Sequence, residues 1–274
     1  MVSLVQISDP HFGTEQPPVV EALVRMVRAQ SPDLLVLSGD ITQRAHRSQF
    51  RAARAFVERL GVPATLAIPG NHDIKLLNVA SRLFTPYANY CREFGDDLEP
   101  VFDAPQLLVV GVNTTRNYRH ARGAVSGAQI ERVADRLSRA TEQQLRVVVT
   151  HQPVCVTLPR DEPDQLLGHA RAVRRWAEAG ADLILGGHIH LPFVQPLRTH
   201  HAGLPRHVWA VQAGTAVSDR VIREAGNSVN LIRYAGALPR RACVVERWDF
   251  NAAQQSFAPI AQEELLLDGA GGGA

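Results

Sequence analysis

Lysine is almost absent. Lys75 is the single copy in 274 residues, so nearly all the positive charge is arginine. Basic and acidic residues balance to a formal charge of +2, and nothing global argues for a nucleic-acid polymer or an acidic membrane as partner. Cysteine is scarce as well. Cys91, Cys155 and Cys243 are odd in number and contain no C-x-x-C pair, which argues against a disulfide framework and suits a reducing compartment. No apolar run has the length of a membrane span. Met1 leads almost directly into the first strand pattern, leaving no room for a signal peptide. These absences give the expectation of a soluble cytoplasmic protein with no membrane span. What is present is an ordinary core-forming composition, 45% hydrophobic and 20% charged.

Strand and helix patterns alternate through the first two-thirds. Strands are expected at 2–7, 34–38, 63–68, 107–112, 145–150 and 182–186. Helices are expected at about 18–30, 43–60, 127–140 and 166–179, with 76–95 helical or irregular. In the helix at 127–140, Ser126 is placed to cap through Gln129. After 186 the pattern turns to strands alone, at 207–213, 228–234 and 241–250. Runs of β-α units followed by consecutive strands predict an α/β (α+β) protein with two sheets, each flanked by helices. Residues 1–250 read as one domain. Residues 251–274 read as a C-terminal extension ending in a flexible Gly/Ala tail, with Leu265-Leu266-Leu267 docking on the body or on a partner.

Side chains suited to binding metal or phosphate fall in five short clusters, each just after a probable strand. They are Asp9 and His11 in S-D-P-H, Asp40 in S-G-D, Asn71 and His72 in P-G-N-H-D, His151 in T-H-Q-P, and His188 and His190 in G-G-H-I-H. In a layered α/β fold the carboxyl ends of neighbouring parallel strands share one edge, so loops there bring distant residues to one point. Asp-x-His and Gly-Asp are weak signals alone, common in solvated loops and turns. The blocks at 69–73 and 186–190 are far more specific. Pro69-Gly70 and Gly186-Gly187 stop a buried strand, and an Asn carbonyl or paired imidazoles follow. His72 is placed to face a substrate, and Asp73 to accept its other N–H and fix the tautomer. His151 alone fits a satisfied structural histidine; its position one strand ahead of the His188 block makes it a ligand candidate.

Imidazole and carboxylate without thiolate suit Zn, Fe, Mn or Ni rather than a structural zinc knot. The donors are too many for one tetrahedral ion and fit two ions bridged by one carboxylate. Two dications with two aspartates leave about +2 of charge, which favours an anionic phosphoryl group. Such a pair can deprotonate a water, orient it for in-line attack and stabilise the phosphoryl oxygens.

The ordered set Asp-x-His, Gly-Asp, Gly-Asn-His-Asp, His and Gly-His-x-His resembles the calcineurin-like metallophosphoesterase superfamily, over residues 1 to about 215. The resemblance implies a four-layer α-β-β-α sandwich with two mixed β-sheets. It implies one metal held by Asp9, His11, Asp40 and His190 and a second held by Asp40, Asn71, His151 and His188. Asp40 would be the bridge, the ions Mn, Fe or Zn, and His72 the group that stabilises the transition state or protonates the leaving oxygen. The opening Ile-Ser-Asp-Pro-His-Phe-Gly and the intact His72 look most like the bacterial class III cyclic-nucleotide phosphodiesterases. The leading expectation is therefore a phosphodiesterase for cyclic nucleotides or other small phosphodiesters. Its rival is a phosphomonoesterase or pyrophosphate hydrolase on the same site, and a remoter one is a non-catalytic scaffold. A small phosphorylated substrate is the expected partner, and a homo-oligomer is compatible with this reading.

Substrate choice is left to loops over the metal edge. In 113–122, Arg116, Tyr118 and His120 are candidates to pair with a phosphate or stack on a base. The proline- and acid-rich segment 152–169 is a candidate rim. His200, His201 and His207 read as surface residues, and the aromatics of 84–94 as core packing.

Overall fold

The computed structural model describes residues 1–75, 79–119, 121–236 and 241–269. His120 and the end of the Gly/Ala tail lie outside these residues.

Two six-stranded sheets form. The first takes β1 (Val2–Ile7), β2 (Leu34–Ser38), β3 (Ala64–Ile68), β10 (Ser228–Tyr234), β11 (Ala242–Asn251) and β12 (Ser256–Leu266) in the order β12-β11-β10-β1-β2-β3. The second takes β4 (Val101–Ala104), β5 (Leu107–Gly111), β6 (Leu145–Val149), β7 (Leu183–Gly186), β8 (Phe193–Pro196) and β9 (Trp209–Gln212) in the order β4-β5-β6-β7-β9-β8. Strands β1, β2 and β3 run parallel, as do β5, β6, β7 and β9; the flanking strands are antiparallel, so both sheets are mixed.

Side-chain alternation explains the layering. Val5, Ile7, Leu35 and Leu37 face α1 (Pro17–Gln30) and α2 (Arg47–Leu60), while Leu4, Leu34, Val36 and Ile68 face the other sheet. In the second sheet Val109, Val147, Leu183 and Leu185 meet them. Leu108, Val148 and Ile184 face α5 (Gly127–Ser138) and α6 (His169–Glu178). Because they are covered on both faces, β2, β5 and β7 read as nearly continuous apolar runs. The expected four-layer α-β-β-α sandwich is the fold. Two short helices, α3 (Val79–Phe84) and α4 (Ala88–Phe94), fill the irregular segment, and Tyr90 is fully buried while Phe84 is 83% exposed. Ser126 caps α5 as expected, accepting from Gln129 N.

The departures are at edges and helix starts. β4, β8 and β12 had no expected counterpart. All three are edge or outermost strands, and β8 and β12 contain Pro196 and Pro259, which a central strand excludes. β12 pairs along β11 from Ser256 to Leu266, with Leu265 and Leu267 buried against the inter-sheet core. Residues 256–266, expected outside the domain, are therefore part of the first sheet, and Leu265 and Leu267 dock on the body while Leu266 is exposed. Helix α2 begins at Arg47 instead of about 43, because residues 43–46 turn toward the strand ends, and α6 begins at His169 because Leu166 and Leu167 pair with Pro153 and Gly123.

Candidate metal centre

All five clusters arrive at the carboxyl edge of the parallel strands. Asp9 and His11 follow β1, Asp40 follows β2, Asn71 and His72 follow β3 in a 3-10 turn, His151 follows β6, and His188 and His190 follow β7. The backbone there is strained. Eight non-glycine residues among those described have a left-handed φ, and five of them are Asp9 (51°), His11 (44°), Asp40 (49°), His188 (73°) and His190 (57°). Each costs roughly 1–3 kcal/mol for such a residue, so the fold holds these side chains where the chain alone would not. The glycines beside them serve close approach: a side chain on Gly39 (φ 99°) would run into the His151 ring, and one on Gly187 into Ser8 and Asp9.

The side chains form two adjoining groups, Asp9–His11–His190 and Asp40–His151–His188, each with ligand atoms within 4.8 Å of one another. In the first, the Nε2 atoms of His11 and His190 face each other at 3.2 Å, and His190 Nε2 lies 3.3 Å from Asp9 Oδ1. In the second, His151 Nε2 lies 3.3 Å from Asp40 Oδ1 and 3.2 Å from Asn71 Oδ1. Asp40 stands between the groups, since its Oδ2 is 3.8 Å from His11 Nε2. The second nitrogen of two rings is committed elsewhere: His151 Nδ1 lies 2.9 Å from Ser38 O and His190 Nδ1 lies 2.7 Å from Arg220 O. Donating Nδ1–H to a carbonyl leaves Nε2 as the free ligand atom.

These residues fit metal ions. Asp9 is fully buried; its Oδ2 accepts from Ser8 Oγ at 2.5 Å and from His188 N at 2.9 Å, but Oδ1 has no hydrogen-bond donor. A buried carboxylate oxygen whose nearest polar neighbour is the His190 Nε2, 3.3 Å away, calls for positive charge, which either a proton on that ring or a bound metal ion supplies. The nitrogen and oxygen donor set, without sulfur, suits divalent transition metals.

Electrostatics follow from burial and pairing. Burial pushes His11 down to about 3, only partly opposed by Asp40 and Asp9. Burial also acts on His151 but is outweighed by the Asp40 charge and hydrogen bond, which raise it to about 9. His190 is raised because Asp9 outweighs burial in the same way. Asp9 and Asp40 would be raised by burial, yet their histidine partners hold both well below the usual carboxylate range. His72 is lowered, burial exceeding the pull of Asp40.

Asp73 does not orient His72. Its Oδ1 accepts from Thr42 N (2.8 Å) and Thr42 Oγ1 (2.9 Å), and its Oδ2 from Ile41 N (3.0 Å) and Gly70 N (2.9 Å). It therefore staples the Asp40 loop to the Asn71 loop. Burial and the Asp40 charge push it up to about 7 against those backbone donors. The partner of His72 is a backbone carbonyl, Gln43 O, 3.0 Å from Nδ1. Reading the pair as neighbours in sequence missed that the turn aims their side chains apart. Arg116 also differs from expectation. Its guanidinium is used inside the protein, by Asn113 O, Thr115 O and Gln129 Oε1, and braces the loop on α5. Tyr118 is 71% exposed, under the Arg119 guanidinium. Segment 152–169 does rim the site: Asp164 Oδ1 is 3.5 Å from His188 Nε2, and Arg160 reaches Glu224 at 2.8 Å. Sequence reasoning missed Gln43 and Arg220. Arg220 lies in the loop after β9, one more strand ending at this edge, and that position was its available signal.

A four-layer sandwich that gathers histidines and carboxylates at its strand ends has the architecture of a metallohydrolase. The chain belongs to the calcineurin-like phosphoesterase family, whose sequence model matches residues 2–192. A relative from Synechococcus, described as a probable cyclic nucleotide phosphodiesterase, is 27% identical over 214 residues, covering 71% of this chain and 75% of the relative. A dimetal phosphatase from Danio rerio has a similar structure, with TM-score 0.65, 13% identity and coverage of 97% of this chain and 99% of that one. A purple acid phosphatase from yellow lupin seeds gives TM-score 0.68 at 11% identity, covering 97% of this chain and 53% of that one. At such identities these two structures speak for the fold. No helix among the described residues is long and apolar enough to cross a membrane.

Proposed function

We propose that the protein is a binuclear metal-dependent phosphodiesterase acting on cyclic nucleotides or other small phosphodiesters. The observation that carries this is Asp40, whose two oxygens face the two ligand groups separately, at 3.8 Å from His11 Nε2 and 3.3 Å from His151 Nε2. On this reading Asp9, His11, Asp40 and His190 would hold one ion, and Asp40, Asn71, His151 and His188 would hold the other. When bound, such ions would supply activation of a water for in-line attack and charge stabilisation at the phosphoryl oxygens. The preference for small diesters is supported by the 27% identical relative described as a probable cyclic nucleotide phosphodiesterase.

The chain's own residues supply the rest. His72 rests its Nδ1 on Gln43 O, so Nε2 is turned to the site as the atom that exchanges a proton with the leaving oxygen. Its backbone N–H donates to Asp40 Oδ1 at 2.8 Å, tying its position to the bridging carboxylate. Asp73 fixes both loops by four hydrogen bonds and is a positioning residue.

The test is a panel of bis-p-nitrophenyl phosphate, p-nitrophenyl phosphate, cyclic nucleotides, glycerophosphodiesters and nucleotide pyrophosphates with Mn²⁺. Expected are diester turnover above monoester turnover, loss with chelator and recovery with Mn²⁺. Absence of turnover across the panel by protein carrying two metals sinks the enzyme reading. Faster monoester than diester turnover sinks the choice of diester.

A further inference from the structure

Arg220 carries a charge that the protein does not neutralise. Its Nη1 lies 3.2 Å from His72 Nε2, 3.3 Å from His11 Nε2 and 3.3 Å from Gln43 Oε1. These neighbours are two imidazoles and an amide, and among the described residues its guanidinium forms no ion pair. The half-buried Arg220 differs here from Arg206 and Arg241, which are buried and paired to Asp182 at 2.9 and 2.8 Å. A guanidinium withdrawn from water without an anion is unfavourable, and its planar fork matches phosphate oxygens.

The backbone around Arg220 is fixed to the site. Its carbonyl accepts from His190 Nδ1 at 2.7 Å, and its N–H donates to Ser218 Oγ at 3.2 Å. Ser218 Oγ pairs with Thr215 Oγ1 at 2.6 Å, and that hydroxyl donates to Asp9 O at 2.7 Å. The loop is thus anchored on two candidate ligands, and its arginine is delivered between His11 and His72. Arg220 also lies beyond the residues that the family match covers.

We propose that Arg220 is a phosphoryl-binding residue, its guanidinium taking an anionic oxygen of the scissile phosphoryl group between His72 and the Asp9–His11–His190 group. This rests on the phosphoesterase reading. A diester carries one negative charge in the ground state and gains more as the attacking oxygen adds. A fixed cation there therefore binds the transition state more tightly than the substrate.

The experiment compares wild type, Arg220→Ala and Arg220→Lys, all loaded with Mn²⁺ and checked by elemental analysis. Arg220→Ala is expected to keep two metals, lose on the order of 10²-fold in kcat/KM on bis-p-nitrophenyl phosphate, mostly in kcat, and bind inorganic phosphate at least about tenfold more weakly by calorimetry. Arg220→Lys is expected to recover part of both. Metal loss in Arg220→Ala overturns the proposal in favour of a structural role through His190. Equal phosphate binding by wild type and Arg220→Ala overturns it whatever the turnover. If wild type binds phosphate through Arg220 but hydrolyses no ester, the proposed hydrolysis falls with the transition-state role, and only phosphate binding by Arg220 stands.

Discussion

Replacing Asp40 by Asn keeps the size of the side chain and removes the one charge shared by the two ligand groups. Two dications at the ~3.5–4 Å spacing usual in binuclear sites repel by about 17–19 kcal/mol at an effective dielectric of ~20. A single carboxylate about 2.1 Å from both would attract each by about 16 kcal/mol on the same scale, and the two attractions together, about 32 kcal/mol, exceed the repulsion. Without it, the second ion has no compensating charge beyond Asn71, His151 and His188, all neutral when ligating. Asp40→Asn is therefore expected to hold one metal per chain after Mn²⁺ loading and dialysis, against two in wild type, with diester turnover down by at least about 10³-fold. The metal-free protein responds as well. Against burial, Asp40, with smaller help from Asp9 and the Ser38 carbonyl, raises His151 from 6.5 to about 9, which corresponds to on the order of 3 kcal/mol of pairing, mostly with Asp40. Because the folded value is raised, that stability is fully present below pH 6.5 and is lost as pH rises through about 9. Metal-free Asp40→Asn is thus expected to be less stable than wild type at pH 6 and nearly equal at pH 9.5, read by urea denaturation. Two metals bound with wild-type affinity in Asp40→Asn would refute the bridging assignment.

Loading the apoprotein with metal at pH 7 should release protons, since His151 is charged there and must become neutral to ligate. Calorimetry in buffers of different ionisation enthalpy reads this, and apparent affinity should rise with pH up to about 9. His72→Ala should slow esters with poor leaving groups most, by about 10²–10⁴-fold, and p-nitrophenyl esters least; an equal loss on both removes the proton-exchange role. At the opposite ends of the strands, Asp182 is buried and accepts from Arg206 at 2.9 Å and Arg241 at 2.8 Å. Asp182→Ala strands those guanidinium groups and should cost about 3–5 kcal/mol in urea unfolding, while metal content and kcat of the folded protein stay at wild-type values.

The central strands were legible because burial on both faces writes them as unbroken apolar runs such as Leu34–Leu37 and Val147–Val149. Their C-terminal residues were legible as a site because parallel strands must end at one edge. Edge strands carry no such constraint: β12 alternates poorly, with Pro259 inside it and Glu263 and Glu264 near its end, and it resembles an extension. Partnerships were harder still. That Asp73 meets Ile41, Thr42 and Gly70 rather than His72 depends on the turn at Asn71–Asp73, which the residue order does not reveal. Arg116 looked free in a polar loop because its acceptors, two backbone carbonyls and Gln129, are set by tertiary packing.

Asp9 and Asp40 are buried, and each faces a histidine whose proton it stabilises, His190 and His151 respectively. Protons thus hold in the metal-free protein the charge balance that metals would supply in the loaded one. The left-handed conformations of Asp9, His11, Asp40, His188 and His190 are imposed by strands packed on both faces, so their strain is met by the fold rather than by ligation. Ion binding then has to displace protons but has little backbone to reorganise. Arg220 has no such internal partner among the described residues: its charge is left for something that neither proton exchange nor the carboxylates provide. An anion brought by the substrate is the group that completes that balance.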